Sequence, residues 1–169
     1  MYAILLGMMG SGKTTVGRRV AELADLPFAD TDQMLVRKLG RPVHQLFQFY
    51  GEDAFRLHET KVLADLELGT GVLATGGGII LREENWDEMR RLGRTIFLRV
   101  PEGLLIERLA TAKKRRPLLE TENWEERVSD LLAKRLPLYL KADYVVDAEE
   151  NCIETAAGRV LDVMGWERA

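Results

Sequence analysis

"LLGMMGSGKTTVG", Leu5 to Gly17, decides how the rest of the chain is read. An apolar run stops at Gly7, and Gly10, Gly12, Lys13, Thr14 and Thr15 follow at once. The spacing Gly7, Gly12, Lys13, Thr14 satisfies G-x-x-x-x-G-K-[ST] without a mismatch. Glycines permit positive φ and let main-chain N–H groups converge on phosphate oxygens with no side chain in the way. A helix starting near Gly12 adds its unpaired N–H groups and the positive end of its dipole. Lys13 reaches outer phosphates, and the Thr14 hydroxyl is a ligand for Mg²⁺. An ordinary glycine turn is the alternative. Average residue usage makes a chance match in a chain of this length on the order of one in a hundred. A strand before the motif and a helix after it favour a nucleoside triphosphate.

The totals restrict what else the chain can be. Its 169 residues suit one domain with a proper core, and 46% hydrophobic with 30% charged residues fit a soluble globular protein. A net charge of −3 gives no footprint for nucleic acid. Cys152 is the sole cysteine, so no internal disulfide can form, and with His44 and His58 it cannot build a usual zinc cluster. No apolar run approaches the ~18 residues of a membrane span. "MYAILLG" reads as a strand with no basic region ahead of it, so no signal peptide is expected and a cytoplasmic setting is. A monomer acting on small molecules is the working expectation.

Short apolar runs suit buried parallel strands at Tyr2–Leu6, Pro27–Ala29, Val72–Ala74, Thr95–Arg99 and Tyr144–Val146. Helical period links them. Gly12–Ala24 aligns Val16, Val20 and Leu23, and Glu52–Leu68 aligns Phe55, Val62 and Leu66. Ile153–Met164 has Gly165 as its stop. Trp86, Trp124 and Trp166 are assigned to core packing. Alternating strands and helices predict an α/β fold with a parallel sheet covered on both faces, its ligands beyond the strands' carboxyl ends.

Three further stretches bear on the phosphate's fate. In "FADTD", Asp30 and Asp32 stand at a strand end, where acids gain nothing from burial. One suits the water shell of a metal and the other a proton acceptor; alternatively, Asp32 caps the helix Gln33–Leu39. In "EDAFRLHE", Glu59 falls on an apolar stripe within reach of Arg56, three residues earlier. Such a pair aims a guanidinium at a carboxylate or phosphate, whereas the bland reading is a solvated salt bridge. In "VLATGGG", Gly76, Gly77 and Gly78 let a ligand approach the backbone, or form a simple loop. Arg135 sits among Val128, Leu131, Leu132 and Tyr139 and needs an anion, and Pro137 is expected to kink this helix. "KKRRP", Lys113–Pro117, is a charge run that is mostly solvated, with one cation able to fold over phosphates.

Together the P-loop, "DTD", "FxxxGExxFRxxE" (Phe47–Glu59), "TGGG", "RPLL" (Arg116–Leu119) and "RLPLY" (Arg135–Tyr139) resemble the shikimate kinase family from the first strand to the last. The resemblance implies a P-loop NTPase three-layer sandwich, with a five-stranded parallel sheet, as one domain over residues 1–169. It also implies a substrate-binding helical region at about 31–60 and a lid at about 111–122. It implies ATP and Mg²⁺, and transfer of the γ-phosphoryl to the 3-hydroxyl of shikimate on the route to aromatic amino acids. By position, Gly10, Ser11, Gly12, Lys13, Thr14 and Thr15 would hold the nucleotide, and Thr14 and Asp30 the metal. Asp32 would bind the acceptor hydroxyls and act as base. Arg56 and Arg135 would grip its carboxylate beside Gly76, Gly77 and Gly78. Arg116 would be the lid arginine, joining Lys13 in catalysis, and Arg108 would lie against adenine. Phe47 and Phe55 would wall the ring.

Two rivals remain at this level. A gluconate kinase shares the P-loop without the other motifs. A nucleotide-dependent switch would want N-K-x-D, yet none of Asn85, Asn123 and Asn151 precedes lysine, and D-x-x-G occurs only at Asp162–Gly165.

Overall fold

A computed structural model of the chain describes residues 1–111, 122–149 and 152–169. The first apolar run forms β1 (Tyr2–Leu6), and Ala3, Ile4, Leu5 and Leu6 have no exposed surface. A strand buried on both faces needs neighbours on both edges. Here β3 (Gly71–Ala74) and β4 (Gly93–Arg99) supply them, with β2 (Phe28–Asp30) outside β3 and β5 (Tyr144–Asp147) outside β4. Every pairing is parallel, in the order β2-β3-β1-β4-β5. The P-loop therefore leaves the middle of the sheet, while β5 is an edge strand whose last residue, Asp147, pairs with Arg99.

The connections are helical. They are α1 (Lys13–Leu23), α2 (Thr31–Leu39), α3 (Val43–Ala64), α4 (Glu83–Leu92), α5 (Glu102–Thr111), α6 (Trp124–Tyr139) and α7 (Ile153–Met164). Helices cover both sides of the sheet, with α1 against α7 and α3 against α4. Gly165 ends α7 with φ 64°. Trp86 is buried in the main core, against which Trp124 and Trp166 pack while partly buried. Pro137 sits in the last turn of α6, which continues to Tyr139.

Three boundaries differ from expectation. The helix predicted from Glu52 is the second part of α3, whose course breaks at Gly51 (φ 75°, ψ 170°). Val43–Tyr50 forms a helical segment that the sequence reading leaves unassigned. At the other end α3 stops at Ala64 rather than Leu68, because Asp65 caps it and Leu68 is turned out to solvent. The cap of α2 is Asp30, not Asp32. The Asp30 Oδ1 accepts from the N–H of Asp32 (3.0 Å) and of Gln33 (3.2 Å), so the helix begins at Thr31, two residues earlier than read.

Two apolar clusters result. The larger surrounds the sheet, and a smaller one of Leu35, Leu46, Phe55 and Val62 joins α2 to α3. The helical pair thus carries its own core at one end of the sheet.

Candidate functional site

Two cavities open beyond the carboxyl ends of the strands. The first, about 660 Å³, follows the P-loop and the start of α1. Gly10 (φ 80°) and Gly12 (φ 88°) take the left-handed conformation that turns main-chain N–H groups inward. Gly10, Ser11, Gly12, Lys13, Thr14 and Thr15 all line this space, as do Asp30, Asp32 and Arg108. The Lys13 ammonium lies over its own loop, donating to the carbonyls of Gly7 (2.8 Å) and Met8 (2.9 Å). The Thr14 hydroxyl donates to Asp30 Oδ2 at 2.8 Å. One carboxylate thereby caps α2 with one oxygen and meets the α1 hydroxyl with the other. At the far end Arg108 from α5 stands 3.5 Å from the carbonyls of Gly10 and Ser11. It faces an apolar wall that includes Ala148, Ile153 and Ala156. That wall comes from the β5–α7 junction and carries no motif, so sequence reading missed it.

The second cavity, about 770 Å³, lies between α2, α3, α6 and the glycine turn after β3. Asp32, Arg56, Gly76, Gly77, Gly78 and Arg135 all line it. Arg56 and Glu59 are both buried, and the guanidinium Nη1 donates to Glu59 Oε2 at 2.6 Å. Its Nη2 donates to Glu52 at 3.2 Å. The solvated-bridge alternative is therefore excluded. Burial raises the Glu59 carboxyl to about 6 against the opposing pull of Arg56, and the nearby Asp32 adds to the rise. Arg135 Nη1 donates to the Gly77 carbonyl at 3.2 Å. The buried Nε atoms of Arg56 and Arg135 find no hydrogen-bond partner among the described residues. Both guanidinium groups line one cavity, and two cations there suit an acid.

The glycine run has a structural reason that sequence reading did not supply. A Cβ on Gly78 would lie 2.2 Å from Arg56 Nη1, and one on Gly76 would lie 2.7 Å from Asp32 Oδ1. The turn is bare because the site's own charged side chains rest on it. Phe47 lines the second cavity, but Phe55 stacks behind it at 4.1 Å between centroids and belongs to the α2–α3 core. The expected two-ring wall is one ring deep, because the stripe that aligned Phe55 with Val62 faces inward. Sequence reading also passed over Met9, Gln33, Val36, His44 and Leu131, which complete the lining. Arg116, and with it nearly all of the expected lid, lies outside the described residues.

Both cavities share Met9, Asp32 and Gly77. A phosphate chain in the first would thus present its end to an acceptor in the second, with a carboxylate at the seam.

Known proteins share this chain's sequence pattern and fold. The family model described as shikimate kinase matches residues 9–165. The shikimate kinase of Thermodesulfovibrio yellowstonii is 38% identical over 94% of this chain and 91% of its own. That of Methylococcus capsulatus is 40% identical over 94% and 89%. The structure of the Acinetobacter baumannii shikimate kinase in complex with shikimate superposes with a TM-score of 0.89, at 38% identity, over 96% of this chain and 92% of that one. With the family model matched over residues 9–165 and relatives 38–40% identical over nearly the whole chain, the chain belongs to the shikimate kinase family.

Proposed function

We propose that the chain transfers the γ-phosphoryl group of ATP to the 3-hydroxyl of shikimate, giving ADP and shikimate 3-phosphate. One observation carries the reading: the nucleotide cavity and the acid-binding cavity meet at Asp32. In this reading the acceptor region is α2 with α3 to about residue 60. Arg56 and Arg135 grip the carboxylate, and Phe47 supports the ring. Asp32 accepts the proton of the acceptor hydroxyl as its oxygen bonds to the γ-phosphorus and the bond to the β–γ bridging oxygen breaks. Such transfer needs little covalent help, so positioning and charge dominate.

The P-loop amides and Lys13 hold the phosphates, and Lys13 must leave the Gly7 and Met8 carbonyls to do so. Thr14 and Asp30 fit a magnesium ion: both offer hard oxygens, side by side, at the mouth of the phosphate loop. When bound, Mg²⁺ would offset charge on the phosphate oxygens, with Thr14 a direct ligand and Asp30 acting through water. Arg116, assigned from sequence, would close over the transferred group.

The test is ADP release by purified protein with ATP and Mg²⁺, comparing shikimate, quinate and gluconate. Saturable release with shikimate well above the other two is expected. Release with shikimate no higher than the acceptor-free background overturns the reading, and preference for gluconate replaces it with the rival kinase.

A further inference from the structure

The glycine turn 76–78 carries two charged side chains of the site yet has no side chains of its own to fix it. Its stiffness has to come from elsewhere. Thr75 donates its hydroxyl to the Leu5 carbonyl of β1 (2.9 Å), and the Thr31 hydroxyl accepts from the Gly76 N–H (3.1 Å). Beyond the turn, Asn85 and Trp86 of α4 donate to the Ile79 and Ile80 carbonyls at 2.7 and 3.0 Å. The centre of the turn is held from α6. Tyr139 donates its hydroxyl to the Gly77 carbonyl at 2.6 Å, the same oxygen that receives Arg135 Nη1.

We propose that Tyr139 is a positioning residue for the acceptor site, holding the Gly77 carbonyl where Arg135 can use it as a rest. The inference rests on the reading of Arg135 as one arm of the carboxylate grip. Tyr139 lines neither cavity, so it touches neither substrate. It is fully buried, and its ring stacks on Phe97 of β4 at 4.9 Å and 9° between planes. The phenol is thus fixed to the strand beside β1, in the same rigid frame as the P-loop. Burial pushes its hydroxyl up to about 12, so it remains a donor throughout the working range of an enzyme. Gly77 itself lies against both halves of the site: a Cβ there would stand 3.4 Å from the Gly7 carbonyl and 3.6 Å from Arg135 Nη1. A single hydroxyl therefore couples the grip on the acid to the frame that carries the nucleotide loop. Arg135 is one helical turn before Tyr139 on α6, so both reach Gly77 from one face.

Removing the hydroxyl while keeping the ring isolates this role. Tyr139→Phe, Arg135→Lys and the double variant are compared by steady-state kinetics with shikimate and ATP varied separately, alongside their Tm. Tyr139→Phe is expected to raise the shikimate KM about fivefold to tenfold, with the ATP KM and kcat within about twofold. In the Arg135→Lys background the same change should add little, because the hydroxyl acts through that arginine. A Tyr139→Phe enzyme with a wild-type shikimate KM, or with both KM values raised alike, overturns the inference even if Tm falls. Effects that multiply in the double variant also overturn it. A wild-type shikimate KM in Arg135→Lys instead removes the grip reading itself, whatever Tyr139 does.

Discussion

The nucleotide half and the acceptor half of the site are built on opposite plans. The first is centred on a continuous stretch of chain, Gly7 to Thr15, whose main-chain amides and glycine φ angles shape the cradle, with the side chains of Lys13, Thr14, Asp30 and Arg108 around it. The second is assembled from α2, α3, α6 and the turn after β3, and side chains do its work. The nucleotide half sits at the middle of the sheet and shares the main core, whereas the acceptor half stands partly on the small cluster of Leu35, Leu46, Phe55 and Val62. Main-chain recognition is fixed once the loop folds. Side-chain recognition has to be supported, and that is why Glu52, Glu59 and Tyr139 surround the two arginines.

The contrast breaks at the seam, where one residue serves both halves. Asp32→Asn keeps the shape and removes the proton acceptor. A positioned base contributes ~10²–10⁴ in rate, so kcat should fall by that order while both KM values stay within a few-fold. Steady-state rates with each substrate varied measure this. A kcat within threefold of wild type would move the base elsewhere.

Loss of one arginine should separate the halves. Charge-assisted hydrogen bonds are worth about 1.5–3 kcal/mol, so Arg135→Ala is expected to raise the shikimate KM by roughly 10- to 100-fold. Arg56→Ala should cost more, because it also strands the buried Glu59. Binding of ATP, followed by titration calorimetry without acceptor, should be unchanged in both. Parallel weakening of the two ligands would mean the halves are not independent.

How far the sequence revealed each half follows from the same difference. A loop whose chemistry is contiguous is legible in a regular expression, and Gly10 to Thr15, the residues assigned to the nucleotide from sequence, all line the first cavity. The five strands were legible as short apolar runs, most clearly in β1, where Ala3 to Leu6 are buried on both faces. In the acceptor half Asp32 was legible as an acid at a strand end and Gly76 to Gly78 as a glycine run, while Arg56, Glu59 and Arg135 stood out because they break apolar stripes, where a charge must have a partner. Residues that obey the local rules left no signal. Tyr139 passes for a core aromatic, Thr31 for a helix start, and Ala148 and Ile153 for ordinary packing. The helix read from Glu52 starts just past the Gly51 break (φ 75°, ψ 170°), whereas the segment before it, Val43–Tyr50, is not read as a helix.

The buried pair offers a further distinction, because the nucleotide half has no counterpart to it among the described residues. Glu59 titrates near 6 in the folded chain against about 4.5 when exposed. Between those values the folded state binds more protons than the unfolded state, so stability falls as pH rises through the window. The shift corresponds to about 2 kcal/mol. Urea unfolding should show wild type losing about 2 kcal/mol relative to Glu59→Gln between about pH 3.5 and 7, rather more than half of it between pH 4.5 and 6. Wild type gaining on the variant over this range would mean that Arg56 outweighs burial.

Two glycine-to-alanine changes give the smallest and most direct comparison of the two plans. At Gly12, φ is 88° and a new Cβ would meet only Val16 Cγ2 at 3.9 Å, so Gly12→Ala is a purely conformational insult. A left-handed alanine costs about 1–2 kcal/mol, which the loop can relieve only by turning its amides away from the phosphates. At Gly78, φ is −97°, comfortable for any residue, but the Cβ would stand 2.2 Å from Arg56 Nη1. Gly78→Ala therefore leaves the backbone unstrained and displaces a guanidinium. The first should raise the ATP KM about tenfold with shikimate little affected, and the second should do the reverse. If Gly78→Ala weakened ATP as much as shikimate, the turn would be acting through its backbone after all, and the division between main-chain and side-chain recognition would not hold one residue from Gly77, where the two cavities share a wall.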